Sequence, residues 1–562
     1  MKHAGHNGFL ISLVLCLLVQ LFFLYHAHFT FAVQGQLRWI PLLLSLAPGL
    51  GLLFVFALFM RPWLSLLSVT FLFALLNIAN DKKSALVGEP LCWNDIQARN
   101  NAEIIVKYLD WPTAVLLLVA LGALAFCAFR LKPKNISASQ RFLLLSGAAL
   151  LLLLSSVSSL GTSGGMLSEY INYQLKTVDA GYTYWDWPQN LKLNGLPRHV
   201  IQTSRRLMPE PAGQAEKEQF EALLNRPTAQ VVRPRNILFI LCEACWHDEQ
   251  NFYALFEPLR ARQFKEMRAI SPVYGGRTVN ASFEFLTGLP CAPALSGVIY
   301  QEYASLIADK ALALPRLLKR EGYKTIAVHN YYKKFWNRQT VLPKLGFDAF
   351  VGLEDMAWSG TEAIPSDQLV FDAAYQQLVR NAGQPVYMFI TTVATHGPYR
   401  DEADQGEKDY SRRLSKTLEQ FCEFSDKVRC AFPDTLIVFA GDHKPGLTRF
   451  LLARGVFKPE DFDRLGTRDD RFLFSERQSL DARGDVPVYI WHPDTQRLAS
   501  FIRQADGKPF YLLSQLLDDA YTATALPAYH FSRDLPDNGA IRALRQHRQQ
   551  YPGWLYSLSL FE

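Results

Sequence analysis

The sequence lacks the features that mark two common classes of protein. It has no block of lysines and arginines and no interleaving of basic with aromatic residues, and its net charge is only +6 over 562 residues. Both observations argue against nucleic-acid binding. It also has no low-complexity tract and no repeat at a fixed short period, which argues against a repeat architecture.

Cysteine is present, but not in a pattern that builds a disulfide framework. Cys422 and Cys430 fall on one predicted helix, about 12 Å apart along its axis, which is too far for a bond. Cys242 and Cys245 have the C-x-x-C spacing of redox and zinc motifs, but no second pair accompanies them. We interpret this pair as the buried end of a strand, and the sequence assigns no disulfide.

Apolar residues are abundant, at 49% of the chain, and they are densest in the first 160 positions. Most of the apolar runs there approach the roughly 20 residues that cross a bilayer, and the third is the shortest. The first run could be a signal peptide, but four more follow it, so we predict an anchor. The five runs are Phe9–Phe29, Ile40–Met60, Leu64–Ala79, Pro112–Phe129 and Phe142–Leu160.

The charges between these runs predict how the chain crosses the membrane. The loop 130–141 carries four basic residues and no acid, which favours the cytoplasmic side, as does Lys2. The loop 81–111 has a balanced charge and suits the outer side. Five spans with a cytoplasmic N-terminus therefore form a transmembrane domain over residues 1–161 and place everything after it outside the cytoplasm.

The remainder of the chain divides into a linker and a soluble domain. Residues 162–230 are either a segment at the membrane interface, since they carry aromatics and arginines, or an ordinary polar linker. Over 231–562, apolar runs of strand length alternate with helix-length segments, which predicts an α/β domain with a largely parallel sheet covered on both faces. The predicted strands are Asn236–Leu241, Thr325–Val328, Val386–Thr391, Thr435–Phe439 and Val486–Trp491, and the predicted helices include Gln368–Arg380 and Ser411–Ala431.

Titratable side chains follow four of the predicted strands. In a parallel sheet the carboxyl ends of neighbouring strands meet at one edge, where functional groups gather. A single such residue is usually a turn or surface group, whereas four at the same end of the strands indicate a site. The residues are Glu243, His329 with Trp336 and Arg338 shortly after it, His396, and the pair Asp442-His443.

Two carboxylates and one imidazole, with a threonine oxygen, make a four-ligand site for a borderline or hard divalent ion. Thr278 follows Gly275-Gly276, and glycines permit backbone conformations that aim the next side chain outward. A metal ion in such a site would lower the pKa of the Thr278 hydroxyl and activate it as a nucleophile. The alternative is that Thr278 only caps the helix that follows.

Three further residues suit a phosphate-binding pocket. Arg338 could bind a phosphate through two parallel hydrogen bonds, and Trp336 could form the wall of the pocket. His396 could hydrogen-bond a headgroup or protonate a leaving alkoxide. For His329 and His247 a structural role is the better interpretation.

At these positions the sequence resembles the lipoteichoic acid synthase and phosphoglycerol transferase family, in the sulfatase-like branch of the alkaline phosphatase superfamily. Five motifs occur in the family's order across the whole soluble domain, and the five-span membrane part also fits. The motifs are Gly276-Arg277-Thr278, Phe283-Glu284-Phe285-Leu286-Thr287-Gly288-Leu289-Pro290, Phe335-Trp336-Asn337-Arg338, Thr395-His396-Gly397-Pro398-Tyr399 and Gly441-Asp442-His443.

The resemblance implies an enzyme of the bacterial cytoplasmic (inner) membrane whose sulfatase-like domain lies on the periplasmic or extracytoplasmic side. The donor would be a membrane phospholipid, either phosphatidylglycerol or phosphatidylethanolamine. The acceptor would be an envelope glycan such as a lipopolysaccharide core or a periplasmic glucan, and the cofactor one divalent ion, manganese before magnesium or zinc. By this resemblance Glu243, Thr278, Asp442 and His443 form the metal set with Thr278 as nucleophile, and Trp336, Arg338 and His396 form the headgroup pocket.

Two departures from related sequences stand out. Ser282 occupies the position before Phe283 where many relatives have an acid, which puts the headgroup or acceptor preference in doubt. Leu295 stands where the sulfatase C-x-P-x-R signature that begins at Cys291 has arginine, which disfavours a formylglycine sulfatase. Two other readings stay open: a phosphodiesterase in which water resolves the intermediate, and a non-catalytic regulator that binds lipid or lipopolysaccharide.

Overall fold

A computed structural model gives the structure of the chain, which divides into two compact units, Met1–Arg206 and Leu207–Glu562. The division falls inside the predicted linker. The structure describes all residues of the chain except 1–2, 34, 88–89, 98–114, 116–118, 120, 123–125, 127–136, 161–165, 184–186, 205–206, 227–229, 293, 296, 361–363, 400–405, 468, 470–471, 475–483 and 533–547.

The first unit is helical, and in its described part four helices are long and apolar enough to cross a membrane: Phe9–His26, Trp39–Ala57, Pro62–Ser84 and Ala138–Ser156. Most of the predicted span Pro112–Phe129 lies outside the described residues. The predicted run Leu64–Ala79 belongs to a longer apolar helix, whose spanning segment has 23 residues. The helices of this unit are His3–His26, Trp39–Ala57, Pro62–Val87, Trp93–Gln97, Ala138–Leu160, Met166–Thr177, Trp187–Asn194 and Leu196–Gln202, with a short hairpin of Ala32–Val33 and Gln36–Leu37.

The first part of the predicted linker is folded into this unit. Trp187 and Tyr182 are buried, and the Trp187 indole N–H donates to the Tyr182 hydroxyl at 2.9 Å. Arg198 is also buried, where it donates to Asn194 Oδ1 at 2.6 Å. Buried polar groups of this kind need partners, and these side chains supply them for one another.

An eight-stranded sheet forms the centre of the second unit. In chain order its strands are β1 Asn236–Cys242, β2 Lys265–Ile270, β3 Lys324–His329, β4 Ala349–Val351, β5 Val386–Thr391, β6 Thr435–Gly441, β7 Asp485–Trp491 and β8 Lys508–Pro509, and their spatial order is β8-β2-β7-β6-β1-β5-β3-β4. The five strands from β6 to β4 are parallel. Strand β7 runs antiparallel to β6 and β2, so the sheet is largely but not wholly parallel.

Helices surround this sheet, which explains why its central strands are apolar throughout. Every residue of β1, β5 and β6 is buried, as expected for strands with both faces covered. The helices of the unit are Gln214–Leu224, Glu257–Ala261, Thr278–Thr287, Ile299–Tyr303, Leu314–Arg320, Arg338–Lys344, Gln368–Arg380, Glu407–Ala431, Thr448–Ala453, Thr495–Ala505, Phe510–Leu517 and Gly553–Tyr556. A small antiparallel pair, Phe462–Arg464 with Leu473–Phe474, lies outside the main sheet.

The register of the sheet brings three strand ends together. Leu241 of β1 lies opposite Thr391 of β5 and Ala440 of β6, and Cys242 lies opposite Gly441. The segments that follow β1, β5 and β6 therefore emerge side by side at one edge of the sheet.

Cys242 ends β1 as predicted, but it also forms a disulfide with Cys245, which corrects the interpretation of the pair as only a strand end. The chain turns back immediately after the strand, with Ala244 at φ +50°, and brings the two Cα atoms to 5.4 Å. Cys422 and Cys430 are free, as their spacing predicts. A side chain at Gly441 would collide with the Cys245 carbonyl oxygen, 1.9 Å from the position of a Cβ, so this close approach requires glycine.

Candidate active site

Thr278 emerges from a tight turn of three residues with positive φ. Gly275, Gly276 and Arg277 have φ values of +64°, +149° and +67°, and Thr278 is the first residue of the helix Thr278–Thr287. The N-cap position belongs to Arg277, and no side chain caps this helix. The helix-cap alternative for Thr278 is therefore wrong, because its hydroxyl instead donates to Glu243 Oε2 at 2.8 Å.

Glu243, Asp442 and His443 form one buried cluster after β1 and β6. Each offers a ligand atom within 4.8 Å of the others. His443 Nε2 lies 3.4 Å from Glu243 Oε1 and 3.3 Å from Asp442 Oδ2. With the Thr278 hydroxyl beside Glu243, all four predicted metal ligands are in one place.

Backbone groups hold this cluster in position. Asp442 Oδ1 accepts from the Ala244 N–H at 2.6 Å, and the Glu243 N–H donates to Thr392 Oγ1 at 3.0 Å. His443 Nδ1 faces the Lys444 carbonyl oxygen at 2.8 Å, so Nδ1 is the donor. This hydrogen bond fixes the ring so that Nε2 is the nitrogen available to a ligand, an arrangement typical of metal-binding histidines.

The residues present fit a divalent cation. Asp442 Oδ2 and His443 Nε2 are fully buried and have no hydrogen-bond partner among the described residues, a costly arrangement that a cation would relieve. Burial and the Glu243 charge raise the pKa of Asp442. Burial opposes the charged form of His443, but Asp442 and Glu243 outweigh it and raise the pKa of His443 to about 9. Both shifts favour a proton at the position where a cation would bind.

The cluster opens into a cavity of about 880 Å³, and Glu243 and Thr278 are among the residues that line this cavity. The predicted pocket residues Trp336, Arg338 and His396 line the same cavity. The remaining described residues of its lining are His329, Tyr331, Phe335, Ile364, Pro365, Ser366, Val393, Ala394, Gly397, Pro398, Tyr399, Arg412, Arg413, Lys416 and Gln420.

Arg338 is buried beside the indole of Trp336. Its guanidinium carbon lies 5.5 Å from the ring centroid, and its Nη1 donates to the Phe335 carbonyl at 3.4 Å. Burial lowers the pKa of Arg338 to about 10, which leaves it charged at neutral pH. Trp336 and Asn337 have φ values of +51° and +54°, and such uncommon backbone conformations cluster at functional sites.

The histidines near the cavity differ in their surroundings. His396 is exposed at the cavity, and its carbonyl oxygen accepts from Arg413 Nη1 at 2.9 Å. His329 lines the cavity but is buried, with Nδ1 bonded to the Thr391 carbonyl at 2.9 Å. His247 contacts the Tyr489 hydroxyl at 2.9 Å and lies outside the described lining.

Sequence reasoning missed Tyr331, Arg412, Arg413 and Lys416. The last three lie on the helix Glu407–Ala431, which the sequence predicted as Ser411–Ala431. The i, i+4 spacing of Arg412 and Lys416 could have shown that they share one face of this helix. Ser282, where the sequence departs from its relatives, donates its hydroxyl to the Thr278 carbonyl one helical turn before, at 3.1 Å.

The fold and the cluster together define an α/β domain in which Glu243, Asp442 and His443 could hold a metal ion, with the Thr278 hydroxyl beside Glu243. The profile of the Sulfatase family matches residues 235–520, and the chain belongs to this family. The match covers the sheet, the cluster and the cavity, in agreement with the resemblance noted in the sequence.

Two curated relatives illustrate what the chain is similar to. One is the "Putative cyclic beta-1,2-glucan modification protein" of Rhizobium meliloti (strain 1021), 25% identical over 338 residues, which are 55% of this chain and 50% of that protein. The other is "Lipoteichoic acid synthase 1" of Bacillus subtilis (strain 168), 29% identical over 150 residues, which are 23% of each chain. The chain thus spans half of the first relative and about a quarter of the second.

Solved structures are similar to the chain at lower identity. The Streptococcus pyogenes phosphoglycerol transferase GacH in complex with sn-glycerol-1-phosphate aligns with 63% of this chain and 99% of its own, at 19% identity and a TM-score of 0.39. The lipoteichoic acid synthase LtaP from Listeria monocytogenes aligns with 55% of this chain and 81% of its own, at 16% identity and a TM-score of 0.38.

Proposed function

We propose that this protein is a membrane-anchored, divalent-metal-dependent transferase that moves a phospho-headgroup from a membrane phospholipid to a hydroxyl of an envelope glycan. One observation carries the proposal: the Thr278 hydroxyl lies 2.8 Å from Glu243 in a cavity that also contains Arg338 and His396. A hydroxyl, a cation site and a phosphate-binding arginine in one cavity are the parts that phosphoryl transfer requires.

In the first step, Thr278 Oγ1 bonds to phosphorus and the bond from phosphorus to the diacylglycerol oxygen breaks. Glu243 Oε2 accepts the hydroxyl proton, and His396 donates a proton to the leaving alkoxide, so diacylglycerol departs as the alcohol. Arg338 holds a non-bridging oxygen in place. A bound divalent ion (manganese, magnesium or zinc), held by Glu243, Asp442, His443 and Thr278, would lower the pKa of the hydroxyl and neutralise charge on the phosphoryl group.

In the second step, a hydroxyl of the acceptor attacks phosphorus and loses its proton to His396. The bond between phosphorus and Thr278 Oγ1 breaks, and the threonine regains its proton from Glu243. Each residue thus returns to its starting state, and the phospho-headgroup ends on the acceptor.

The charges of the cavity favour phosphoglycerol over phosphoethanolamine. Among its described lining residues Glu243 is the only carboxylate, and it belongs to the cation cluster, whereas four side chains are cationic. An ethanolammonium group would find no free acidic partner among these described residues, and repulsion between like charges penalises it. A neutral glycerol carries no such penalty.

Other observations support the acceptor and the location that we propose. The names of the two curated relatives, a glucan modification protein and a lipoteichoic acid synthase, support an envelope polymer as acceptor. The four candidate spanning helices, the fifth span that the sequence predicts at Pro112–Phe129 and the basic sequence 130–141 support a multi-pass protein of the inner membrane with its second unit outside the cytoplasm. A donor in the outer leaflet explains why such an enzyme is anchored.

Two alternatives differ in what they require. In a phosphodiesterase, water would resolve the Thr278 intermediate. A non-catalytic lipid- or lipopolysaccharide-binding regulator would tolerate loss of the ligands, and this chain retains all four.

The deciding experiment gives the purified full-length protein vesicles that contain phosphatidylglycerol and phosphatidylethanolamine with differently labelled headgroups, together with a glucan oligosaccharide. We expect the glycerol label to move onto the oligosaccharide in the presence of manganese. Release of free headgroup without transfer would favour the phosphodiesterase, and no release from either lipid would contradict the proposal.

A further inference from the structure

One wall of the cavity is the edge of the helix Glu407–Ala431 that carries Arg412, Arg413 and Lys416, here called the basic edge. All three side chains line the cavity together with Glu243 and Thr278. Arg412 and Lys416 are exposed, with 79% of the Arg412 side chain accessible, whereas Arg413 is half-buried. The proposed transfer of the headgroup assigns no role to these three residues.

The basic edge has more positive charge than its described neighbours neutralise. The single buried carboxylate of Asp409 accepts from Arg412 at 2.6 Å and from Arg413 at 2.5 Å. Lys416 has no ion-pair partner in the part of the chain that the structure describes. Counted over the described residues, two cations share one anion and a third has none, so this part of the wall carries a net positive charge facing the cavity.

On the helix Glu407–Ala431, the charged side chains that line the cavity are all basic. Its exposed acids Glu419, Glu423 and Asp426 lie outside the described lining. A helix that served only solubility would mix both signs over its exposed surface. Here three of the basic side chains of the helix line the cavity, and none of its acids is among the described lining residues, which concentrates positive potential where a substrate would bind.

The donor does not account for this charge. Its one phosphate is bound at Thr278 and Arg338, and its glycerol is neutral. A cavity of about 880 Å³ lies in the range that encloses a drug-sized molecule, so it holds more than a phosphoglycerol group. The anion that the basic edge would bind must therefore belong to the second substrate.

We propose that the basic edge binds an anionic group of the acceptor, so that the acceptor is a glycan that already carries phosphate or carboxylate groups. This inference rests on the proposed transferase function and names its acceptor class. One consequence follows from the reaction itself. A glycan that has received one phosphoglycerol carries the anion that the basic edge binds, and it becomes a better acceptor than the unmodified glycan.

The test compares a β-glucan oligosaccharide with the same oligosaccharide carrying one phosphate monoester, using labelled phosphatidylglycerol vesicles as donor. In the wild type we expect a higher kcat/KM for the phosphorylated acceptor. In the double variant Arg412→Gln/Lys416→Gln this preference should fall on the order of tenfold, as expected for loss of two partly exposed charges. Lys427→Gln, on an exposed position of the same helix outside the described lining, is the matched control and should keep the preference.

An unchanged preference in the double variant, or equal use of both acceptors by the wild type, would overturn the inference. Loss of vesicle binding in the double variant, with the preference unchanged, would show that these residues contact the membrane surface instead.

A binding measurement separates this inference from the transferase proposal. Calorimetry with the phosphorylated oligosaccharide and Thr278→Ala protein needs no turnover. We expect the affinity of the Thr278→Ala protein for this oligosaccharide to fall on the order of tenfold when Arg412→Gln/Lys416→Gln is added. The affinity should also fall as the salt concentration rises. Absence of headgroup release by the wild type would refute the transferase, whereas equal binding with and without the basic edge would refute the inference alone.

Discussion

At the scale of single residues, Thr278 has the two properties that a nucleophile at a metal site needs. Three consecutive positive φ values aim it out of the turn, and its hydroxyl contacts a member of the cation cluster rather than the end of its own helix. We predict that Thr278→Ala lowers headgroup release by about three orders of magnitude or more, as for removal of other covalent nucleophiles. Release of the labelled headgroup from phosphatidylglycerol is the measurement.

Loss of fold is controlled for by stability and by a conservative change. The alanine variant loses one hydrogen bond to Glu243, which costs about 1 kcal/mol, so its melting temperature should change by only a few degrees. Thr278→Ser keeps the hydroxyl and should retain measurable release. If the Thr278→Ala variant released headgroup at the wild-type rate, the assignment of Thr278 as nucleophile would be refuted.

His443 gives the metal affinity a pH dependence whose sign is fixed by its surroundings. Its pKa in the metal-free protein is raised to about 9, so below this pH a metal ion must displace a proton from the imidazole. Affinity should therefore rise with pH between 6 and 8, by about tenfold per unit for each proton released. Calorimetric titration of the chelator-treated protein with manganese at three pH values would measure it, and a pH-independent affinity would contradict it.

The same proton affects folding in the opposite sense when no metal is bound. Because the folded-state pKa lies above the ordinary value of 6.5, the stabilisation by charged His443 is fully present below pH 6.5 and is lost as the pH rises through about 9. The metal-free protein should therefore lose this contribution over the pH range in which metal binding becomes stronger.

At the scale of elements, the turn after β1 depends on one tyrosine of the helix Glu407–Ala431. The Tyr410 hydroxyl donates to the Ala244 carbonyl at 2.7 Å and accepts from the Trp246 N–H at 3.1 Å. Tyr410→Phe leaves two buried backbone groups without this partner, which should cost roughly 1–3 kcal/mol of unfolding free energy. It should also weaken manganese binding, because Glu243 precedes Ala244 in the same turn.

Urea unfolding and calorimetry check this prediction. Tyr375→Phe is the matched control, since Tyr375 is half-buried on the neighbouring helix Gln368–Arg380 and no hydrogen bond of its hydroxyl occurs within the described residues. If Tyr410→Phe behaves like this control, the turn does not depend on the tyrosine.

The sequence predicts those strands and helices whose residue pattern depends on burial alone. Strands β1, β5 and β6 are apolar because both their faces are covered, and their ends place Glu243, His396 and Asp442. Strand β2 was missed because its sequence, Lys265 to Ile270, mixes charged and apolar residues and forms a strand through pairing with β7 and β8. The basic edge was missed because basic residues on a helix are normally exposed to solvent, and only the tertiary structure places a cavity beside them.

At the scale of the whole molecule, the chain has two compact units, and the cation cluster lies within the second. A ligand that binds only the folded state stabilises it by about 2.7 kcal/mol at a concentration 100 times its dissociation constant. Manganese added to the chelator-treated full-length protein should therefore raise the melting transition of Leu207–Glu562 by several degrees and leave that of Met1–Arg206 unchanged.

Hydrogen exchange read by mass spectrometry would locate this effect along the full-length chain in lipid nanodiscs. Protection should increase in β1, in β6 and at the start of the helix Thr278–Thr287, since Thr278 begins this helix and the other three ligand residues directly follow the two strands. His443→Ala should remove the protection, whereas Lys427→Gln should keep it. Protection that spreads equally over Met1–Arg206, or that persists in His443→Ala, would mean that manganese binds elsewhere. The four residues would then have to serve a purpose other than holding the ion.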